Sequence, residues 1–242
     1  MTTSGHIEVV GAEPEGLRPD ASEMASAKST LGTKAANLAY TIAWLPGQVE
    51  IRPLESRCQK LIRSFEPLLE VIQRPAEKTV CDDMRALHEN VFLLRAELGE
   101  TCETFKQPHK LPQVRTSKGA VAPRVAAIAE GYLVAVACQF TVESFSEYIQ
   151  SFQDITVLNM SELWMLIPAL NMVLLEQIAR RGRRVQQDPA GSYGVQETVR
   201  SLREIRSRGL RLIEISASRT CRLDVRENRV RQGCARLCFE GL

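Results

Sequence analysis

Apolar residues that recur every three or four positions are the feature that most constrains the fold of this chain. A spacing of three and four residues places side chains on one face of an α-helix, which must then be buried against another element. Pro67 lies inside the clearest such segment and is expected to kink or split its helix, because proline has no N–H group to donate. This segment runs from Pro53 to Gln73 and carries Leu54, Leu61, Ile62, Phe65, Leu68, Leu69 and Ile72.

The same periodicity predicts further helices, each bounded by a residue that caps or breaks a helix. Pro46 and Gly47 are expected to end the first one. Thr79, Thr141 and Asn159 are expected N-caps, and Pro123 occupies a position typical of a helix start. The predicted helices run from about Ser22 to Leu45, from Thr79 to about Thr104, from Arg124 to Ala137, from Thr141 to Phe152 and from Asn159 to about Arg184. The expected buried residues of the first three of these helices are, in order, Leu31, Ala35, Leu38 and Ile42 in the first, Met84, Leu87, Val91, Leu94 and Leu98 in the second, and Val125, Ile128, Tyr132 and Val136 in the third.

Composition agrees with an all-α fold, an irregular multi-helix bundle. Hydrophobic residues make up 44% of the 242 positions and aromatic residues only 5%, and strand-like alternation is hard to find. We expect a flexible leader over residues 1–21, rich in Gly and Pro, a helical domain over 22–205, and a poorly ordered Arg/Cys-rich tail over 206–242. A basic connector from Lys106 to Gly119 joins two of the helices.

Charge and hydropathy argue against several classes of partner. The formal net charge of +2 is too small to predict a nucleic-acid or membrane-surface partner. No signal peptide is visible at the N-terminus. The most apolar window, from Leu163 to Leu175, contains Pro168 and Asn171 and is shorter than a membrane span. The expected location is cytoplasmic, with no transmembrane segment.

Cysteine spacing predicts reduced thiols and no metal site. Cys58, Cys81, Cys102 and Cys138 are far apart, without a CxxC or CxxH pair. The C-terminal cysteines, Cys221, Cys234 and Cys238, have no second pair and no nearby histidine. The histidines His6, His88 and His109 are scattered, without a metal-binding pattern. No cofactor is expected.

Four glutamates are candidates for catalysis of a glycosidic reaction, which needs two carboxyl groups held across a cleft. Glu143 and Glu147 lie one turn apart on one helix, which favours a solvated face. Glu176 is expected to pair with Arg180, four residues later. These four are Glu143, Glu147, Glu162 and Glu176, and no catalytic residue is predicted among them.

Other polar and aromatic candidates also have structural explanations. Trp164 could stack on a sugar ring, but the apolar residues around it favour packing in the core, near the bend caused by Pro168. Asp82 and Asp83 suit the positive end of a helix, and Arg180 to Arg184 suit the negative end of one. Phosphate or lipid headgroups remain an alternative for the arginines.

Several short segments, in order along the chain, carry a family resemblance. They are Leu87-His-Glu-Asn-Val-Phe-Leu-Leu-Arg-Ala-Glu-Leu98, Lys110-Leu-Pro-Gln-Val114 with Pro123-Arg124-Val125, Ser161-Glu-Leu-Trp-Met-Leu-Ile-Pro168 with Leu174-Leu-Glu-Gln-Ile178, Asp188-Pro-Ala-Gly-Ser-Tyr193, and Ser201-Leu-Arg-Glu-Ile205. Together they resemble the N-terminal helical region of cyclic β-1,2-glucan synthases, also called glycosyltransferase 36-like proteins. The resemblance covers roughly residues 36–205.

The resemblance implies a role in glucan biosynthesis without an activity of its own. Full-length relatives make β-1,2-glucan from UDP-glucose with a metal-dependent membrane module, and a phosphorylase-like region adjusts product length. Neither module is recognisable here, so no catalytic residue carries over. The implied partners are the remaining modules of a membrane glycosyltransferase, which would hold the chain at the inner membrane.

Two hypotheses from different classes follow from the sequence. The first is a non-catalytic helical fragment of a β-1,2-glucan synthase-like protein, and the second is an independent helical protein-interaction module. A stand-alone enzyme is disfavoured because no polar residues converge. After Ile205 the sequence departs from the family into arginine and cysteine, which suggests a truncated gene whose last codons are read in a shifted frame.

Overall fold

A computed structural model describes residues 21–49, 52–73, 81–106, 111–115, 119 and 121–208. Over these ranges the fold is all-α, a multi-helix bundle with one small antiparallel sheet. In chain order the elements are α1 (Ala21–Thr41), β1 (Ala43–Val49), α2 (Arg52–Gln73), α3 (Asp82–Glu89), α4 (Val91–Lys106), β2 (Leu111–Arg115), β3 (Val121–Pro123), α5 (Arg124–Ala135), α6 (Val142–Gln153), α7 (Met160–Gln187) and α8 (195–208).

Helix α7 is the centre of the bundle, in contact with α2, α4 and α5. The predicted N-cap at Asn159 is confirmed, and it forms a capping box: the Asn159 side chain accepts the Glu162 N–H, and the Glu162 carboxylate accepts the Asn159 N–H. By length and composition α7 could cross a membrane, with a mean hydropathy of 1.3 over its most apolar window. However, 72% of that window is buried against the other helices. The expected absence of a membrane span stays a prediction.

Helix α2 continues through Pro67, so the proline does not split the helix, and the alternative expectation of a kink stays a prediction. Its stripe packs as predicted, with Leu54, Leu61, Phe65, Leu68 and Ile72 buried. Pro67 faces solvent, where water can replace the hydrogen bond that proline cannot donate. The helix therefore keeps its core face despite the proline.

The single helix predicted from Thr79 to Thr104 is two helices, α3 and α4. Thr79 lies outside the described residues, and the N-cap of α3 is Cys81, which makes no side-chain capping bond. The break is at Asn90, whose side-chain Nδ2 donates to the Ala86 carbonyl oxygen at 2.7 Å. This bond competes with regular helical bonding, as short polar side chains often do.

Two segments expected to be helix end or connector form a sheet instead. Strand β1 pairs antiparallel with β2, and β2 with β3. The pairing of β1 shifts register between Trp44 and Gln48, where Pro46 and Gly47 lie, because proline cannot donate to the ladder. Helix α1 therefore ends at Thr41, before the predicted Leu45. The sheet brings the chain from α4 to the start of α5.

Helix α5 ends at Ala135, two residues before the predicted Ala137. Ala137 and Cys138 both have positive φ angles, 52° and 63°, a backbone conformation that turns the chain out of the helix. A serine of α8 holds this turn: the Ser201 hydroxyl accepts the Phe140 N–H and donates to the Cys138 carbonyl oxygen. The predicted cap of α6 at Thr141 is confirmed, since its side chain accepts the Ser144 N–H.

The predicted end regions fall largely outside the description. Residues 206–208 belong to α8, whereas residues 1–20 of the predicted leader and residues 209–242 of the predicted tail lie outside the described residues. The hypothesis of a shifted reading frame therefore stays a prediction.

Candidate functional site

The most buried charged groups form an ion pair between the starts of α5 and α7. The Arg124 side chain is 2% exposed and the Glu162 side chain 0%. Nε of Arg124 lies 2.5 Å from Oε1 of Glu162, and a second guanidinium nitrogen bonds the other carboxylate oxygen. The same guanidinium donates to the Val157 carbonyl oxygen at 3.1 Å. Such a bidentate pair fixes two helices in both distance and orientation.

A second buried carboxylate, that of Glu97 on α4, joins three helices. Its Oε2 accepts a hydrogen bond from the Asn171 amide of α7 at 2.9 Å. Its Oε1 lies 2.6 Å from the Arg206 guanidinium of α8. Burial raises the pKa of Glu97, against the opposing effect of the Arg206 charge. This group orders the core and has no free oxygen aimed into a cleft.

Glu176, expected to pair with Arg180, instead binds Arg57 of α2. The two carboxylate oxygens of Glu176 lie 2.5 and 2.6 Å from the Arg57 guanidinium. Arg57 also contacts Glu130 of α5 at 2.6 Å. Burial lowers the pKa of Arg57, but the Glu176 and Glu130 carboxylates together outweigh this effect, so the pKa of Arg57 is raised. The predicted local pair with Arg180 is wrong, because the partly buried Arg57 of α2 binds both oxygens of the Glu176 carboxylate.

Asp83 has a role that sequence reasoning missed. Asp82 is exposed and pairs with Arg85 at 3.1 Å, whereas Asp83 is buried and points toward the start of α8. Its carboxylate accepts the backbone N–H groups of Tyr193 at 2.6 Å, Val195 at 3.0 Å and Gln196 at 3.3 Å. It therefore caps a helix other than its own, which satisfies N–H groups that have no partner within α8.

A polar groove of about 410 Å³ lies between α3 and α8. Its two acidic residues, Asp82 and Glu89, are both on α3, so no carboxylates face each other across it. One of its arginines, Arg203, donates to the Asn90 side-chain oxygen at 2.5 Å. The groove is lined by Asp82, Arg85, Ala86, Glu89, Asn90, Gln196, Val199, Arg200 and Arg203.

The four candidate glutamates do not converge on one cleft. Glu162 and Glu176 are held in separate ion pairs, with Arg124 and Arg57 respectively. Glu143 is exposed and Glu147 half-buried, on the surface of α6. Among the described residues no three His, Cys, Asp or Glu side chains form a group able to hold a metal ion. The arrangement required for glycoside hydrolysis is therefore not found in this part of the chain.

Of the remaining polar candidates, Arg181 has the clearest structural role. Its guanidinium donates to the Gly194 carbonyl oxygen at 2.6 Å and to the Thr198 hydroxyl at 2.5 Å, at the start of α8. Arg180, Arg183 and Arg184 lie toward the end of α7, and Arg183 donates to the Ala179 carbonyl oxygen. His88 is half-buried on α3, while His6 and His109 lie outside the described residues.

Trp164 is 55% exposed, so the expectation that it packs in the core is wrong. Its neighbours in sequence are buried, including Leu163 and Leu166. Successive helical residues turn by about 100°, so sequence neighbours do not share a face. Residues four apart do share a face of a helix, and Met160, four residues before Trp164, is accordingly 43% exposed. Met160 and Trp164 form what we call the Trp164 surface.

Comparison with known proteins adds no identification. No family model matches the sequence, and the search of curated proteins finds no match either. The functional assignment therefore depends on the residues and their geometry.

Proposed function

We propose that this chain is a non-catalytic helical module of a cyclic β-1,2-glucan synthase-like glycosyltransferase. The proposal depends on one observation, which is how the polar residues in the family-like segments are bonded. They bond to one another across the bundle, and in the part of the chain that the structure describes no two carboxylates face each other across the groove between α3 and α8.

The bonds join different segments of the resemblance. Arg124, from Pro123-Arg124-Val125, binds Glu162, from Ser161-Glu-Leu-Trp. Asn90, from Leu87-His-Glu-Asn, accepts a hydrogen bond from Arg203 in Ser201-Leu-Arg-Glu-Ile205. These polar residues are therefore used to hold one helix against another. This supports a scaffold in which the family-like residues specify a fold.

The Trp164 surface supports docking to a larger assembly. Exposed tryptophan and methionine are common in protein interfaces and are unusual together on a solvated helix. The surface lies beside the Arg124–Glu162 pair, which orients the start of α7 rigidly. The proposed partner is the remainder of the synthase, its membrane transferase and phosphorylase-like modules, and the chain would then lie at the cytoplasmic side of the inner membrane.

The docking proposal is tested with the purified chain and a β-1,2-glucan synthase that lacks its own N-terminal helical region. We expect the chain to bind membranes carrying that truncated synthase, and we expect Trp164→Ser to weaken the binding at least tenfold. Phe92→Ser is the matched control, because Phe92 is 81% exposed on α4, away from the Trp164 surface. Equal loss with both variants, or binding to membranes without the synthase, would contradict the proposal.

A UDP-glucose incorporation assay tests the proposal that the chain is non-catalytic. The purified chain is expected to transfer no glucose. Any glucan formed by the chain alone, above the level of a heat-denatured sample, would overturn the assignment.

An independent helical interaction module is the alternative, and the continuous core favours it. Tightly packed helices with paired buried charges are typical of a domain that folds by itself. Sedimentation separates the hypotheses: an independent module should remain monodisperse, whereas a module missing its partner should self-associate through its apolar surface. In the second case Trp164→Ser should reduce the self-association.

A further inference from the structure

The polar groove between α3 and α8 lies between two helices that run in the same direction. Near the start of α3, the Asp83 carboxylate accepts the backbone N–H groups of Val195 and Gln196 at the start of α8. At the end of α3, the Asn90 side chain contacts Arg203, which lies further along α8. These contacts join the two walls of the groove, whose volume is about 410 Å³, at both of its ends.

Three arginines line this groove against two acidic residues. Arg85 lies on α3, and Arg200 and Arg203 lie on α8, so guanidinium groups line both walls. The acidic residues, Asp82 and Glu89, are both on α3. The lining therefore carries a net positive charge, which attracts an anion from both sides of the groove.

Arg203 is positioned by a neutral partner. Asn90 is 7% exposed, and its Nδ2 donates to the Ala86 carbonyl oxygen at 2.7 Å. Its Oδ1 is thereby left to accept a hydrogen bond from the Arg203 guanidinium at 2.5 Å. This bond orients the guanidinium without cancelling its charge, and it uses one of five N–H donors. Within the described part of the chain, Arg203 has no ion pair.

The other two guanidinium groups are also available to a ligand. Arg200 is exposed and has no ion pair among the described residues. Arg85 contacts Asp82 at 3.1 Å, but the two side chains are 60% and 82% exposed. Such surface pairs are weak, because water screens the attraction between the charges. A bound anion can therefore take the place of Asp82 beside Arg85 at little cost.

We propose that the groove between α3 and α8 binds a small sugar phosphate, with the phosphate group held by Arg200 and Arg203 and also attracted by Arg85. Guanidinium groups suit this role because their parallel N–H groups bind two phosphate oxygens at once. The site goes beyond the proposed function and does not depend on it, since it requires only the packing of α3 beside α8.

The size and the lining of the groove indicate the rest of the ligand. Small-molecule pockets have volumes of about 300–1,000 Å³, and this groove falls in that range, with more room than a phosphate group alone requires. Among the described residues that line it, none is aromatic, so a nucleotide base would have no ring on which to stack. Oxygens able to accept hydrogen bonds from sugar hydroxyl groups belong to Asp82, Glu89 and Gln196. The two carboxylates also repel a second anionic group, which favours a ligand with one phosphate.

Isothermal titration calorimetry of the full chain at low salt tests the site, with ribose 5-phosphate as the probe. We expect saturable binding of one molecule per chain. Inorganic phosphate, which lacks the sugar hydroxyl groups, should bind about tenfold or more weakly, and ribose, which lacks the charge, should not bind measurably. Absence of saturable binding of ribose 5-phosphate, or an equal affinity for inorganic phosphate, would overturn the proposal.

Variants of α8 locate the binding. Arg200→Gln and Arg203→Gln should each weaken the binding of ribose 5-phosphate about tenfold or more, because each removes a charged donor. Arg208→Gln is the matched control: it removes the same charge from α8, but Arg208 pairs with Glu204 at 2.7 Å and does not line the groove. Its affinity should change by less than about twofold.

Equal weakening by all three variants would show a general attraction to a basic helix and would contradict the site. Helical circular dichroism checks that each variant is folded. Arg200→Gln stays decisive if Arg203→Gln does not fold, because the exposed Arg200 has no bond within the described residues that the substitution would break.

Discussion

The Arg124–Glu162 pair permits the sharpest test of the structure, through the substitution Glu162→Gln. The amide keeps the shape of the carboxylate but removes its charge and turns one acceptor into a donor that faces the guanidinium. Arg124, 2% exposed, is then left as a buried cation without its counter-charge. Breaking a buried pair in this way costs about 3–5 kcal/mol.

That cost is a large part of the total stability. A domain of this kind unfolds with a free energy of about 5–15 kcal/mol, so Glu162→Gln should lower the urea midpoint clearly while leaving the slope of the transition unchanged. The measurement is helical circular dichroism against urea. Glu204→Gln is the matched control, since Glu204 pairs with Arg208 at 2.7 Å on the surface of α8, and exposed pairs contribute about 0–1 kcal/mol.

A double-mutant cycle with Arg124→Met isolates the interaction itself. Arg124→Met alone leaves Glu162 as an unpaired buried anion, whereas the double variant leaves no unpaired charge. We therefore expect the double variant to be more stable than either single variant. Additive losses, or a loss below about 1 kcal/mol for Glu162→Gln, would refute the argument that this pair holds the two helices together.

Three further predictions follow from other parts of the bundle. A Cβ on Gly99 meets nothing within 4 Å, whereas one on Gly182 comes within 2.8 Å of a fully buried leucine of α2. In thermal or urea unfolding, Gly99→Ala should therefore stabilise the chain by about 0.5–1 kcal/mol, and Gly182→Ala should destabilise it by about 1–3 kcal/mol. Effects of the same sign would contradict the packing of α7 on α2. Asp83→Ala should cost about 1–3 kcal/mol, because three N–H groups at the start of α8 lose their acceptor, and hydrogen exchange should quicken there, whereas the exposed Asp82→Ala should leave it unchanged. Because its pKa is raised, Glu97 stays protonated in the native state above the ordinary value of 4.5. The contribution of Glu97 to stability should therefore be fully present below pH 4.5 and be lost as the pH rises through the native pKa. In urea unfolding over this pH range, the stability of the wild type relative to Glu97→Gln should fall with rising pH, and a rise would show that the Arg206 charge outweighs burial.

Local sequence signals located most of the helices. Thr141 and Asn159 were recognisable as caps because their bonds reach only three residues along the chain. The apolar stripe of α2 likewise identified its buried face, since helical periodicity fixes which residues share a side. The all-α fold could be predicted from such local information.

Interactions between distant segments could not be predicted in the same way. Periodicity marks Asn90 and Pro67 only as polar or breaking residues, and whether each one interrupts a helix depends on where its backbone groups find partners. The sheet was missed because its strands are short and β1 contains Pro46 and Gly47, which are poor strand residues.

The sequence by itself determined the helical periodicity, the caps and the absence of a recognisable catalytic motif, because each of these is written within a few consecutive residues. Only the tertiary structure decided that Glu162 faces Arg124, that Glu176 takes Arg57 in preference to its neighbour Arg180, and that Trp164 faces outward. These outcomes depend on which helix packs against which face. That choice is made by the burial of the whole apolar surface at once and is not encoded at any single position.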